Sequence, residues 1–266
     1  MGCWYTPTSG IWQTVYLEAV GDNYMLRAHI TPDIDTGHAI FRLTLKDMPL
    51  KPLMAEIIVS FKGEEVRRAV VSVAQRLTEI SLSMVEGHLI PGFHFWSPKE
   101  PNLYDVTIRI LDGAAEMDRV STYFGMRKVA VKDGRVLLNN QPLYQRLVLD
   151  QGYWPESHLT PPSDEAIRAD LEWTKKLGYN GARKHQKLED PRYYYWADKL
   201  GVLVWGEVPS AYEFTDESVN HLSATLAGFI DRDYNHPSII CWVPLNESWG
   251  VTRIYKDARM QAAARL

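Results

Sequence analysis

Asn235-His236-Pro237-Ser238-Ile239-Ile240-Cys241-Trp242-Val243-Pro244-Leu245-Asn246-Glu247-Ser248-Trp249 is the stretch on which the reading of this chain turns. Residues 238–243 form an apolar run of strand length and composition. A proline ends the run, and two polar residues, Asn246 and Glu247, follow at once. The segments before it alternate between short β-rich runs and longer helical ones. Residues 144–149, 180–184 and 202–205 read as strands. Residues 164–177 read as a helix, with Ile167, Leu171, Thr174 and Leu177 on one face, Ser163 or Asp164 as cap and Gly178 as stop. Residues 191–200 read as a helix with proline in its first turn. Residues 217–232 read as a third helix, and 257–266 begin another. Repeated strand–helix units imply a parallel sheet. About four such units fit, preceded by a hairpin at Val129-Ala130-Val131 and Val136-Leu137-Leu138.

Upstream the pattern is different. Residues 39–45, 54–62 and 104–111 are rich in β-branched and aromatic residues, and Thr36-Gly37, Lys62-Gly63 and Asp112-Gly113 punctuate them. Several short strands over about 100 residues predict an immunoglobulin-like β-sandwich without the cysteine pair of antibody domains. The prolines of Trp96–Tyr104 mark a bend there. Ile11 to Glu18 alternates apolar and polar, the period of a half-buried strand, and one strand needs a sheet to join. The expected fold class is therefore multidomain, β followed by α/β. Its expected divisions are 1–20 as the tail of something, 21–127 as the sandwich and 128–266 as the α/β part.

Composition bounds the function. The 266 residues are 45% hydrophobic and carry a net charge of −4. No basic stripe points to nucleic acid, and no apolar stretch is long enough for a membrane helix. Cys3 and Cys241 make no disulfide framework, and Cys241 reads as a free, buried thiol. The start of the chain lacks a charged-then-apolar leader. The compartment stays open. Nine Trp and fourteen Tyr are first of all core material, and they also suit stacking against pyranose rings.

The end of residues 238–243 carries the chemistry. In a β/α barrel the C-terminal strand ends form the active-site face. Glycoside cleavage needs a carboxylic acid of raised pKa to protonate the leaving oxygen. Trp242 and Trp249 are expected to supply apolar surroundings for Glu247, and Asn246 to donate to a sugar 2-hydroxyl. The alternative is a loop glutamate that solvates a strand end.

The Asn-His-Pro-Ser-Ile-Ile run followed by Trp and Asn-Glu resembles the acid/base signature of glycoside hydrolase family 2, which holds β-galactosidases, β-glucuronidases and β-mannosidases. Residues 9–18 are similar to the end of that family's sugar-binding jelly roll. Phe124-Gly125-Met126-Arg127 is similar to the phrase joining its immunoglobulin-like domain to the barrel, and Asn139-Asn140-Gln141-Pro142-Leu143 to the opening hairpin. The resemblance implies that residues 1–20 end an N-terminal jelly roll and that 128–266 are the first half of a (β/α)8 TIM barrel. It implies retaining hydrolysis of a β-glycoside, with Glu247 as catalytic acid/base and Asn246 as the 2-hydroxyl contact. It places Arg183 as a brace at the end of the second barrel strand, where a rim ion pair is the alternative. His185 stands one position before the family histidine, which falls on Gln186. Glu207 matches a glutamate ending the third strand. The aspartate before it is replaced by Gly206, so no metal and no cofactor are expected. Asp150 and Trp154 are placed at the sugar subsite, Trp154 alternatively as lid packing, and Trp249 beside the acid.

A retaining enzyme also needs a nucleophilic carboxylate, which the family carries on a later strand. No second strand-end glutamate follows Glu247, and Glu207 and Glu213 qualify by residue type alone. The expectation is a truncated chain that is inactive by itself. Its partner would be a carbohydrate, with homo-oligomers as often in the family, and neither nucleic acid nor membrane. A non-catalytic carbohydrate-binding or scaffolding module is the rival reading.

Overall fold

A computed structural model describes residue 6, residues 8–87 and residues 92–265. Cys3 lies outside the described residues. The chain divides into two compact units. One is Tyr16–Tyr144 together with Asn235–Pro237; the other holds the described residues before Tyr16, Gln145–Tyr234 and the residues from Ser238 onward.

The first unit is a sandwich. Strands β1 (Met25–Asp33), β2 (His38–Leu45) and β5 (Leu77–Ser83) make one antiparallel sheet in the order β1-β2-β5. Strands β3 (Leu53–Phe61), β4 (Glu64–Val73), β6 (Tyr104–Asp112) and β7 (Ala115–Phe124) make the other, in the order β4-β3-β6-β7. Strict alternation in β2 and β6 sends Phe41, Leu43, Tyr104, Val106 and Ile108 into one core with Ile57 and Phe124. Gly37, Gly63 and Gly113 take the left-handed conformation at the turns. Trp96, in the proline-marked bend, is fully buried. Strands β8 (Val129–Lys132), β9 (Arg135–Leu138) and β10 (Gln141–Pro142) form the expected hairpin sheet.

Asn235, His236 and Pro237 belong to this unit. The Asn235 side chain accepts from the Ile30 amide and donates to the Ala28 carbonyl, each at 2.8 Å. His236 Nδ1 is 3.1 Å from the Tyr123 hydroxyl, and Arg127 Nε donates to the Pro237 carbonyl. The first half of the diagnostic segment is therefore a structural clasp.

The second unit is a parallel sheet, β11 (Leu147–Asp150), β12 (Gly181–Lys184), β13 (Leu203–Glu207) and β14 (Ile239–Val243), in sequential order. Helices α1 (Asp164–Lys176), α2 (Pro191–Leu200) and α3 (Asp216–Asp233) link the strands, and α4 (Ala258–Ala263) follows β14. Among the described residues the sheet is open at β11 and β14 and does not close into a barrel. Capping explains the helix bounds. Ser163 accepts from the Ala166 amide, Asp190 caps α2 ahead of Pro191, and Gly201 ends α2 with φ +70°. Thr215 and Ser218 form a reciprocal capping box on α3. Ile167, Leu171, Tyr193, Tyr194, Ala197, Val204 and Phe229 pack the helices onto one face of the sheet.

The strand expected over residues 11–18 does not form, and Ile11, Val15 and Leu17 are exposed. An alternating pattern makes a strand only where a sheet edge accepts its backbone. The segment binds through side chains instead. Gln13 Nε2 donates to the Leu188 carbonyl, Thr160 Oγ1 to the Trp12 carbonyl, and Arg232 Nη1 to Gln13 Oε1.

Candidate active site

Register sorts the strand residues between the two sheet faces. Asp150, Lys184, Gly206 and Trp242 are aligned neighbours on the helix-covered face. Lys184 lies over the Tyr193 ring, a Cβ on Gly206 would meet Phe229, and Trp242 packs edge-on against Phe229 at 4.8 Å. Leu149, Arg183, Trp205 and Cys241 are aligned on the opposite face, and alternation puts Glu207 with them. Trp242 therefore does not flank Glu247 as expected. Four residues separate the two, and the period-2 alternation of the strand commits the indole to the helix layer.

Arg183, Glu207 and Asn246 converge at the C-terminal strand ends. Arg183 Nε and Nη2 lie 2.8 and 2.7 Å from Glu207 Oε2, and Nη2 also donates to Asn246 Oδ1 at 2.7 Å. Glu207 is fully buried, and its Oε1 accepts from the Gln186 amide at 3.0 Å. A buried carboxylate needs such pairing, because isolation from water penalises the ion heavily. Glu207 is thereby committed and not offered as a second, sugar-facing carboxylate. A divalent cation fits poorly here as well: both Glu207 oxygens are taken, and position 206 is glycine. Among the described residues no group of three His, Cys, Asp or Glu side chains clusters to hold a metal ion.

Glu247 follows buried Asn246 in a turn, with its side chain exposed and φ +50°. Ser248 is left-handed too, at +62°. Non-glycine residues seldom adopt this conformation, and where they do the surroundings impose it. Trp249 is 42% exposed and meets Tyr212 edge-on at 5.9 Å. Cys241 is free and half-buried, and burial pushes its thiol above the usual range.

The other expected site residues are Asp150, which ends β11, Trp154 in the loop after it, and His185, which follows β12. Asp150 does not stand free toward the uncovered face. Its Oδ2 pairs with Lys184 Nζ at 2.7 Å, and Lys184 also meets Glu189 at 2.7 Å. Lys187 completes the cluster, 2.9 Å from Glu189 and donating to the Gly152 carbonyl at 2.6 Å. Burial works against the charge on Lys184, but the two carboxylates outweigh it and raise its pKa; at Lys187 burial wins and lowers it. His185 Nδ1 sits 2.8 Å from Gln151 Oε1. The Trp154 backbone bridges to His158, and among the described residues its buried indole nitrogen has no partner. Sequence reasoning missed Lys184, Lys187 and Glu189. The available signal was two lysines and a glutamate within a few residues of a strand end.

The comparisons agree with this architecture. Residues 23–127 match the model described as Glycosyl hydrolases family 2, and residues 129–266 match that described as Glycosyl hydrolases family 2, TIM barrel domain. A β-galactosidase of Vibrio cholerae serotype O1 is 34% identical over 164 residues, covering 58% of this chain and 16% of the relative. A β-galactosidase of Thermoanaerobacter pseudethanolicus is 25% identical over 264 residues, covering 95% of this chain and 34% of the relative. The chain thus spans only 16% and 34% of the length of these relatives. Among solved structures, a β-glucuronidase from Ruminococcus gnavus superposes with a TM-score of 0.75 at 21% identity, over 93% of this chain and 42% of that one. The second match covers more than half of the chain, and the chain belongs to glycosyl hydrolases family 2.

Proposed function

We propose that this chain supplies the acid/base half of a retaining β-glycoside hydrolase. The observation that carries the reading is the convergence of Arg183, Glu207 and Asn246 beside Glu247 at the strand ends. Arginine has no acceptor, so the Asn246 oxygen must face it and the carboxamide NH2 must turn away. That NH2 is the donor for a sugar 2-hydroxyl. Glu247, next in the chain, protonates the departing oxygen and then deprotonates the water that releases the glycosyl intermediate. The nucleophile is a second carboxylate about 5–5.5 Å from it. Trp249 forms an aromatic wall of the sugar subsite. Trp154, from the loop after β11, and His185, just after β12, border that subsite, and Asp150 supports it through Lys184. The same reading assigns residues 1–20 to the end of a sugar-binding domain, 21–127 to the sandwich and 128–266 to the catalytic barrel. It makes a β-linked carbohydrate the partner and homo-oligomers the working assembly. The relatives are named β-galactosidases and the structural neighbour a β-glucuronidase, so β-galactosides and β-glucuronides are the first substrates to try.

The experiment is a panel of 4-nitrophenyl β-glycosides hydrolysed by the full-length protein, with the first-formed sugar observed by proton NMR. The β-anomer appearing first supports retention. The α-anomer appearing first, or turnover indifferent to Glu247→Gln, overturns the reading.

A further inference from the structure

The contacts around Asn246 close into a ring. Arg183 donates to Asn246 Oδ1 at 2.7 Å and to Glu207 Oε2 at 2.8 Å. Glu207 Oε1 accepts from the Gln186 amide at 3.0 Å, and Gln186 Oε1 accepts from the Ser210 amide at 3.2 Å. Ser210 Oγ then accepts from the Asn246 amide at 3.2 Å. The circuit ties the ends of β12, β13 and β14 together through loops that share no ladder. Gln186 enters it with φ +51°, and the residues leaving it, Glu247 and Ser248, are left-handed as well. Backbone strain of this kind persists only where neighbouring contacts over-determine it.

Asn246 is thereby held at both ends, its amide by Ser210 and its side-chain oxygen by Arg183. Among the described residues its Nδ2 has no acceptor. Glu247 projects from the next Cα, so its direction follows from where the Asn246 peptide is fixed. We propose that Gln186 and Ser210 are positioning residues, which hold Asn246, and through it Glu247, in working register. The proposal rests on the glycosidase reading for what Glu247 does. Gln186 acts here through Ser210 and not by touching the sugar.

The test separates the two ideas. Amide exchange of Asn246, followed by NMR or mass spectrometry, reads the ring without any turnover. Ser210→Ala removes the acceptor and should speed exchange about 5–10-fold, the worth of one net hydrogen bond. Ser210→Thr keeps the hydroxyl and should restore the parent rate. Gln186→Asn tolerates the left-handed backbone but is too short to reach the Ser210 amide, and it should also speed exchange. It carries the test if Ser210→Ala fails to fold. In full-length protein on 4-nitrophenyl β-galactoside and β-glucuronide, both disrupting variants should lower kcat about 10–100-fold with KM within about twofold, the pattern of lost positioning. Exchange at the parent rate in both variants overturns the proposal. So does parent kcat in both while Glu247→Gln is crippled. Turnover unaffected by Glu247→Gln defeats the glycosidase reading alone, and the exchange result then decides the ring.

Discussion

The Nη2 atom of Arg183 lies 2.7 Å from Asn246 Oδ1 and 2.7 Å from Glu207 Oε2. One nitrogen thus neutralises a fully buried carboxylate and orients the carboxamide that precedes Glu247. Removing the arginine separates these jobs. Arg183→Ala leaves Glu207 buried and unpaired, a loss of about 3–5 kcal/mol for a fully buried pair. Arg183 is itself about a third exposed, so the low end, about 3 kcal/mol, is expected in urea unfolding. Adding Glu207→Gln removes the stranded charge and should recover most of the loss. A single-variant cost below about 1 kcal/mol would place the pair among surface bridges.

The outer face of the four-stranded sandwich sheet carries a ladder of alternating charge. Glu65 and Glu56 meet Arg68, Glu56 also meets Arg109, and Glu116 meets Arg109 and Arg119. Arg119 and Arg109 hold the Glu116 carboxyl down at about 2, against an ordinary 4.5, and Arg109 and Arg68 lower Glu56. A depressed carboxylate stabilises the fold above its unfolded pKa and ceases to as pH falls through the folded value. Sandwich stability should therefore decline between pH 4.5 and about 2. Glu116→Gln should flatten that slope, and added salt should weaken the whole effect. An unchanged slope in Glu116→Gln would show that the ladder does not govern acid stability.

Glycines in the α/β unit give opposite signs. A Cβ on Gly181 would lie 2.4 Å from the Leu203 carbonyl oxygen and 2.5 Å from Leu147 Cδ2. Gly181→Ala should cost about 1–3 kcal/mol, since a backbone atom in the ladder cannot step aside. Gly228, inside α3, has open space around its Cβ position. Gly228→Ala should stabilise by about 0.5–1 kcal/mol through helix propensity. Equal effects of the two substitutions in urea unfolding would contradict the packing described.

Much of the fold was legible because its signals are local. Ser163, Pro191 and Gly178 announce helix ends by side chain or φ alone, and Val129 to Leu138 is a hairpin by its Asp133-Gly134 turn. Arg183 stood out through the family resemblance, as a brace at the end of the second barrel strand. What failed or escaped needs more than one segment. Residues 11–18 have the strand period, but pairing depends on an edge elsewhere in the chain. Trp242 was assigned to the acid by proximity in sequence, whereas alternation gives it to Phe229. The hydrogen bonds of Gln186 and Ser210 depend on a left-handed Gln186 and on loops after two different strands, which no window on the sequence contains. Lys184 reads as one more strand-end charge until Asp150 and Glu189 are placed beside it.

The central claim is that Glu247 delivers a proton to the leaving group, and its most direct measure is leaving-group dependence. The comparison is kcat/KM of parent and Glu247→Gln full-length protein on a phenyl β-glycoside and on its 2,4-dinitrophenyl counterpart. General acid help is worth about 10²–10⁴-fold, and a dinitrophenolate departs without it. The account predicts that Glu247→Gln loses about that factor on the phenyl glycoside and far less on the dinitrophenyl one. An equal loss on both substrates would contradict it.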